Sequence, residues 1–255
     1  MKLKIEGLEY EIGKQKILKG IDLEIPKGKF VGIIGPNGSG KSTLLKNIYR
    51  VYKPNKGKIY IDGKEINEMK SKEIAKELAI LAQESSTQFD FTVEDVVKMG
   101  RYPYKSMFED YSKEDIKLVD GMIKRVGLEK YKDRNFNTLS GGEKQRAFIA
   151  RALVQDTDFI ILDEPTNHLD ITYQIQLMDI IKDLNVTVFA ALHDMNISAM
   201  YCDYIIVMKQ GEILKSGTVD EIFTSETIKE VFGVDSYISE NPVNGRKQIF
   251  YISGR

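Results

Sequence analysis

The run Gly35-Pro36-Asn37-Gly38-Ser39-Gly40-Lys41-Ser42-Thr43 follows the short apolar stretch 30–34 and precedes a stretch with helical periodicity. A strand that enters a glycine-rich loop and leaves it as a helix is the setting in which the pattern G-x-x-x-x-G-K-[S/T] binds phosphate. The glycines let backbone N–H groups approach the phosphates closely. We expect Lys41 at the β- and γ-phosphates, Ser42 at Mg²⁺ and Thr43, the next residue in the turn, at the α-phosphate. The full match in this setting favours a nucleotide site over an ordinary glycine-rich turn.

A second glycine run, Leu139-Ser140-Gly141-Gly142-Glu143-Lys144-Gln145-Arg146, opens another helical stretch. A small hydroxyl and two glycines at a helix start form a surface suited to phosphate, because the free N–H groups and the helix dipole favour an anion. The same residues also fit a local role, with Ser140 as N-cap and Glu143 completing a capping box. The two interpretations are compatible. A chain with two such surfaces is predicted to hold one ATP between two copies of itself.

A third feature is the pair of carboxylates, Asp163 and Glu164, that ends the apolar stretch 159–162. At the carboxyl end of a parallel strand, these side chains point into the ligand crevice. Acidic pairs also cap helices, and Pro165 fits the first turn of a helix that would follow. The apolar stretch before the pair and the glycine loop upstream favour the ligand crevice.

Together the three runs resemble the motifs of the ABC (ATP-binding cassette) ATPases, and the resemblance covers about residues 3–232. It implies that Asp163 binds Mg²⁺ and that Glu164 is the general base that activates water. The signature motif, which completes the ATP site of the opposite protomer, is then Leu139, Ser140, Gly141, Gly142 and Glu143.

The resemblance assigns four further positions. Gln83, after the predicted strand 79–82, matches the Q-loop glutamine that contacts Mg²⁺ or the attacking water; alone, it would be a solvated loop residue. His193, after the strand 186–192, matches the switch histidine that bonds the γ-phosphate; the alternative is a buried, satisfied histidine. Asp170 matches the D-loop residue that faces the other protomer. Tyr10 matches the aromatic residue that stacks on adenine, although a strand tyrosine is commonly a packing residue.

Composition narrows the class of protein. The 255 residues carry 37 basic and 38 acidic side chains, and a net charge of −1 argues against a dominant nucleic-acid or anionic-membrane surface. The single cysteine, Cys202, cannot form an internal disulfide and is expected to be a small core residue in a reducing cytosol. The chain has neither a secretion signal nor about 20 consecutive apolar residues, so another polypeptide would supply any membrane-spanning part.

The pattern along the chain predicts an α/β fold, a P-loop NTPase core with a parallel sheet. Alternating residues at 3–25 predict an antiparallel β subdomain, and strands that alternate with helices predict the parallel sheet. Amphipathic helices are expected at 92–100, 113–126 and 142–154, within a helical subdomain inserted at about 84–154. The ABC domain is expected at 3–235, and the tail 236–255 has one possible strand at 248–252.

Two segments make the resemblance more specific, because they point to one group within the ABC ATPases. Residues 91–104, which include Gly100-Arg101-Tyr102-Pro103-Tyr104, and residues 217–234 resemble the importer ATPases for ferric siderophores, haem and cobalamin. Tyr104 stands where histidine is frequent in that group. The resemblance implies a homodimeric ATPase that powers a separate membrane permease from the inner face of the cell membrane, with a binding protein delivering the chelate.

Two alternatives stay open at this point. One is a cytosolic ABC ATPase of iron–sulfur cluster assembly with soluble partners, against which the segment 100–103 argues. The other is a mechanical or nucleic-acid ABC ATPase. Proteins of that class usually carry two cassettes, a long coiled coil or zinc-binding cysteines, and nucleic acid is not expected here.

Overall fold

A computed structural model describes residues 1–81, 90–106, 109–167 and 169–253. Gln83 and His168 lie outside the described residues. The described strands are β1 (Leu3–Ile12), β2 (Gln15–Ile25), β3 (Phe30–Ile34), β4 (Lys56–Ile61), β5 (Lys64–Glu65), β6 (Ala79–Leu81), β7 (Phe159–Asp163), β8 (Thr187–Ala191), β9 (Tyr204–Lys209), β10 (Glu212–Thr218), β11 (Asp235–Glu240) and β12 (Lys247–Ile252).

The described α-helices are α1 (Lys41–Ile48), α2 (Ser71–Glu77), α3 (Val93–Lys98), α4 (Lys113–Arg125), α5 (Gly141–Leu153), α6 (Ile171–Lys182), α7 (Met195–Tyr201), α8 (Val219–Ile222) and α9 (Ser225–Phe232). Short 3₁₀ helices cover Ile66–Glu68, Met99–Tyr104, Glu129–Tyr131 and Phe136–Thr138. None of the helices within the described ranges is long and apolar enough to cross a membrane.

The chain divides into two compact units. The first comprises Met1–Glu68, Leu162–Glu164 and Thr187–Arg255, and the second comprises Met69–Ile161 and Pro165–Val186.

In the first unit, β1, β2, β4 and β5 form an antiparallel sheet in the order β2-β1-β4-β5. The alternating residues Ile21, Leu23 and Ile25 are buried on one face, as is Leu3 opposite Ile25. Polar neighbours such as Glu24 are exposed, so one face of the sheet packs on the core while the other meets solvent. The antiparallel subdomain is therefore confirmed.

A second sheet of the first unit places β3 between β8 and β9, both parallel to it, and β10 adds an antiparallel edge. Every residue of β3 and β8 is buried, as expected for strands covered on both faces. Cys202 is fully buried, and its Sγ would lie 2.7 Å from a Cβ added at Gly32. Its assignment as a core residue is confirmed. The parallel strands bring the loops after β3 and β8 to the same edge of the sheet.

The second unit contains β6, most of β7 and the helices α2 to α6. Three of these helices, α3, α4 and α5, begin with a capping box at Thr92, Ser112 and Ser140, respectively. Each hydroxyl accepts a hydrogen bond from the backbone N–H of the residue three positions later. The acidic side chain of that later residue accepts one from the backbone N–H of the cap, so two otherwise free donors are satisfied. The predicted helix at 92–100 ends earlier, at Lys98, and continues as a 3₁₀ helix that contains Pro103.

The tail of the first unit forms the hairpin β11–β12, with Tyr237 paired to Phe250. The stretch 248–252 lies within β12. The side-chain amide of Asn196, on α7, holds β12 by bonding both the N–H and the carbonyl of Ile249.

Candidate nucleotide site

The loop after β3 requires glycine at two positions. A Cβ at Gly35 would lie 2.0 Å from the carbonyl oxygen of Met208, and Gly40 has a φ of +105°. Side chains at these positions would collide with the neighbouring strand or strain the backbone. The loop is therefore held close to β9 and turns directly into α1.

The start of α1 is open to an anion. Its N-cap is Gly40, which offers no side-chain hydrogen bond, and the first turn contains no acidic residue. Backbone N–H groups at a helix start lack partners within the helix, and the dipole there favours negative charge. This N-terminus differs from those of α3, α4 and α5, each of which has a capping box with a carboxylate in the first turn.

Lys41 supplies a cation at the same place. Its side chain is only 5% exposed, and Nζ donates to the carbonyls of Gly35 at 2.8 Å and Pro36 at 3.2 Å. Burial lowers the pKa of Lys41, while the negative charges of Glu164 and Asp163 oppose that shift. An anionic ligand would offset the same desolvation.

Asp163 ends β7 as predicted and is 7% exposed. Tyr49, just after α1, donates from its hydroxyl to Oδ2 at 3.3 Å, and Ser42 also hydrogen-bonds the carboxylate. Within the described part of the chain, Oδ1 is buried without a hydrogen-bond partner. Burial and, to a lesser degree, the charge of Glu164 raise the pKa of Asp163, although the bonds from Ser42 and Tyr49 act against the rise. A buried carboxylate with one free oxygen beside a serine hydroxyl fits a hard divalent cation such as Mg²⁺.

Glu164 lies on a strained backbone. It is a non-glycine residue with a φ of +54°, and its N–H donates to the carbonyl of Ala191 at 3.2 Å. This turn places its carboxylate next to the loop after β8, where Oε1 lies 2.5 Å from Nε2 of His193. His193 is exposed, so its alternative interpretation as a buried histidine is wrong. Positive φ at a non-glycine residue costs free energy and concentrates at functional sites.

The interpretation of Asp163 and Glu164 as caps of the next helix is also wrong. That helix, α6, begins at Ile171, and its N-cap is Asp170, whose side chain accepts the N–H of Tyr173 at 3.1 Å. Asp170 thus has a local role in the second unit as the N-cap of α6.

Tyr10 stacks on another tyrosine of the first unit. Its ring and that of Tyr52 are 5.0 Å apart between centroids and inclined by 9°, and the ammonium of Lys46 lies 5.7 Å from the Tyr52 centroid. Tyr52 follows α1 by a few residues, and no motif in the sequence signals it. The stack restricts the orientation of the Tyr10 ring.

The glycine run of the second unit lies at an exposed helix start. Ser140 and Glu143 form the predicted capping box, and Ser140 and Gly141 are exposed. A Cβ at Gly141 would meet no atom within 4 Å, and its φ lies outside the left-handed region. Neither packing nor backbone conformation requires glycine there, so the local structure leaves room for a role towards a ligand.

The segment Gly100–Tyr104 is held by buried polar contacts. Arg101 donates from Nε to Asp115 Oδ1 at 2.7 Å and stacks on Tyr104 with its guanidinium carbon 4.1 Å from the ring centroid. The Tyr104 hydroxyl donates to the carbonyl of Gln155 at 2.9 Å. Tyr102, in contrast, is 59% exposed. Contacts of Arg101 and Tyr104 therefore hold the segment in place, while the aromatic side chain of Tyr102 is exposed to solvent.

Comparison with known proteins agrees with this geometry. The ABC transporter family model matches residues 18–167, which is more than half of the chain. The chain belongs to the ABC transporter family. As a member of this family it binds ATP and hydrolyses it, and the predicted ABC ATPase fold is confirmed.

Two curated relatives match nearly the whole of this chain. The ferric enterobactin transport ATP-binding protein FepC of Escherichia coli is 40% identical over 248 residues, which are 96% of this chain and 92% of the relative. The probable siderophore transport system ATP-binding protein YusV of Bacillus subtilis is also 40% identical, over 94% of this chain and 89% of its own length.

Solved ABC structures match as well. An inward-facing, putative metal-chelate type ABC transporter gives a TM-score of 0.84 at 25% identity, over 99% of this chain and 98% of that chain. The dimeric cassette MJ0796 gives a TM-score of 0.75 at 31% identity, over 85% of this chain and 98% of that chain.

Proposed function

We propose that this ATPase powers the import of a metal chelate, most closely a ferric siderophore, through a separate membrane permease. The observation that carries the proposal is the similarity over nearly the full length to FepC and YusV, whose names describe siderophore transport. The match over 99% of the chain to a metal-chelate type transporter supports it. Cobalamin and haem are related cargoes, and a cobalamin import ATP-binding protein of Halobacterium salinarum is 34% identical to the chain.

The phosphates of ATP would lie on the loop Gly35–Thr43 at the start of α1. Lys41, which is already desolvated, would exchange the carbonyls of its own loop for phosphate oxygens and act as a point charge. The exposed face of Tyr10 would stack on adenine, with Tyr52 behind it. Gly38 and Gly40 complete the loop whose N–H groups face the phosphates.

Mg²⁺ would be held by Ser42 and Asp163, with Gln83 as a further oxygen donor. A bound Mg²⁺ supplies positive charge that neutralises the phosphate oxygens. The free and buried Oδ1 of Asp163 is the group that fits it best.

Glu164 would take the proton of the attacking water. The water oxygen forms a bond to the γ-phosphorus, the bond to the ADP oxygen breaks, and the water proton goes to the Glu164 carboxylate. His193 would hold this carboxylate through Nε2 and reach the γ-phosphate. The backbone of Glu164 is strained, and the contact with His193 holds its carboxylate.

We further propose that two copies close on two ATP molecules. Ser140, Gly141 and Gly142 of one copy would donate N–H groups to the γ-phosphate bound by the other, and Asp170 would face the opposite protomer. The exposed, sterically unrequired Gly141 and the existence of a dimeric cassette with this fold support the arrangement. The helical subdomain at about 84–154 would transmit closure to the permease at the inner face of the membrane, and a binding protein would deliver the chelate.

A photocrosslinker at Tyr102 tests the importer proposal. Benzoylphenylalanine at position 102, in membranes that contain the assembled transporter, should label a permease subunit. The matched control is the same probe at Tyr237, which is 62% exposed and lies in the tail hairpin. Labelling of only soluble proteins from position 102 would contradict the importer proposal and favour the iron–sulfur or nucleic-acid alternatives.

A further inference from the structure

Tyr49 lies beyond the phosphate-binding motif, which ends at Thr43. It is the residue directly after α1, seven positions from Ser42. Because seven residues are close to two helical turns, Ser42 and Tyr49 lie on the same face of α1. That face is turned towards the end of β7, where both residues hydrogen-bond Asp163.

The contacts of Asp163 divide its two oxygens. Oδ2 accepts the Tyr49 hydroxyl at 3.3 Å, whereas Oδ1 is buried without a hydrogen-bond partner among the described residues. The terminal torsion of an aspartate is broad, so packing of the chain alone does not fix the angle of the carboxylate plane. A donor on one oxygen, attached to the rigid ring of a half-buried tyrosine, restricts that torsion and leaves the other oxygen presented.

We propose that Tyr49 is a positioning residue that orients Asp163 so that Oδ1 faces the divalent cation of the nucleotide complex. The inference rests on the proposed role of Asp163 as a Mg²⁺ ligand. Tyr49 itself touches neither metal nor nucleotide. Its hydroxyl restricts rotation of the carboxylate, and loss of this donor would weaken the presentation of Oδ1.

The test measures Mn²⁺ binding to the Tyr49→Phe variant by electron paramagnetic resonance, in the presence of a non-hydrolysable ATP analogue. The change removes one hydroxyl and keeps the ring. We expect the Mn²⁺ affinity of the nucleotide complex to fall about tenfold, close to the low end for one lost hydrogen bond to a charged group. The affinity for the analogue in EDTA should stay within twofold of wild type, because the metal-free nucleotide does not depend on Asp163.

Two further variants complete the experiment. Tyr60→Phe is the matched control, since its hydroxyl bonds the carboxylate of Glu6 on the antiparallel sheet, and its Mn²⁺ affinity should equal that of wild type. Asp163→Asn should weaken Mn²⁺ binding more than Tyr49→Phe does. If Asp163→Asn has no effect, the ligand role of Asp163 itself is wrong. If only Tyr49→Phe has no effect, or if it weakens metal-free nucleotide binding equally, the positioning role is overturned.

Discussion

Nε2 of His193 lies 2.5 Å from Oε1 of Glu164, across 29 residues of sequence. A general base must be ionised and can then only accept hydrogen bonds, so the proposed role of Glu164 makes the imidazole nitrogen the donor. The contact joins the loop after β8 to the end of β7, and the N–H of Glu164 on the carbonyl of Ala191 holds the same two segments together. A carboxylate whose backbone and side chain are both held in this way would suit the proposed role of general base.

Removal of the imidazole should therefore slow hydrolysis more than it weakens binding. We expect His193→Ala to lower kcat by about 100-fold, the low end for a positioned acid–base group, with the Kd for ATP changed less than threefold. Steady-state turnover together with nucleotide titration measures both. His193→Gln, which keeps an N–H donor, should recover part of the loss; equal damage from both variants would show that the donor is not what matters.

The ion pairs of Asp115 with Arg101 and Lys105 should make a pH-dependent contribution to the free energy of unfolding. Burial disfavours the Asp115 charge, but the hydrogen bonds from Lys105 and Arg101 outweigh burial, and the pKa of Asp115 lies well below its ordinary value. Because the folded pKa is depressed, this stabilisation is present above the unfolded pKa of about 3.9 and is lost as the pH falls through the folded pKa.

We expect Asp115→Asn to lower the free energy of unfolding by about 2 kcal/mol at pH 7. The difference from wild type should shrink below about pH 4. Urea unfolding at several pH values measures it. The control on the same helix is Asp120→Asn, whose carboxylate is 47% exposed and pairs with Lys132 at 2.7 Å, and it should cost less than about 1 kcal/mol. A pH-independent loss for Asp115→Asn would contradict the ion-pair origin.

Much of the fold and of the candidate site could be predicted from the sequence, because many of the signals are local. The glycine loop, the capping boxes at Ser112 and Ser140 and the buried strands each depend on a few adjacent residues. The contact between Tyr49 and Asp163 joins residues 114 apart, and the Tyr10–Tyr52 stack and the Arg101–Asp115 pair likewise depend on packing that no local pattern records.

Blocking the signature surface should prevent dimer closure. We expect Ser140→Arg to leave ATP binding by the isolated chain within threefold and to abolish the ATP-dependent dimer in a background that cannot hydrolyse ATP. Light scattering after gel filtration measures the mass. Ser112→Arg is the matched control, because it removes the same capping box from α4 at a similar cost of about 1 kcal/mol and should keep the dimer. Dimerisation that persists in Ser140→Arg would count against the shared ATP site.

The most direct test of Glu164 as general base is ATP turnover by Glu164→Gln at saturating Mg-ATP. The amide keeps the shape of the side chain but cannot take the proton of water, so kcat should fall at least 100-fold. ATP binding should be retained, because the phosphate loop and Lys41 are unchanged. Turnover at the wild-type rate would contradict the assignment.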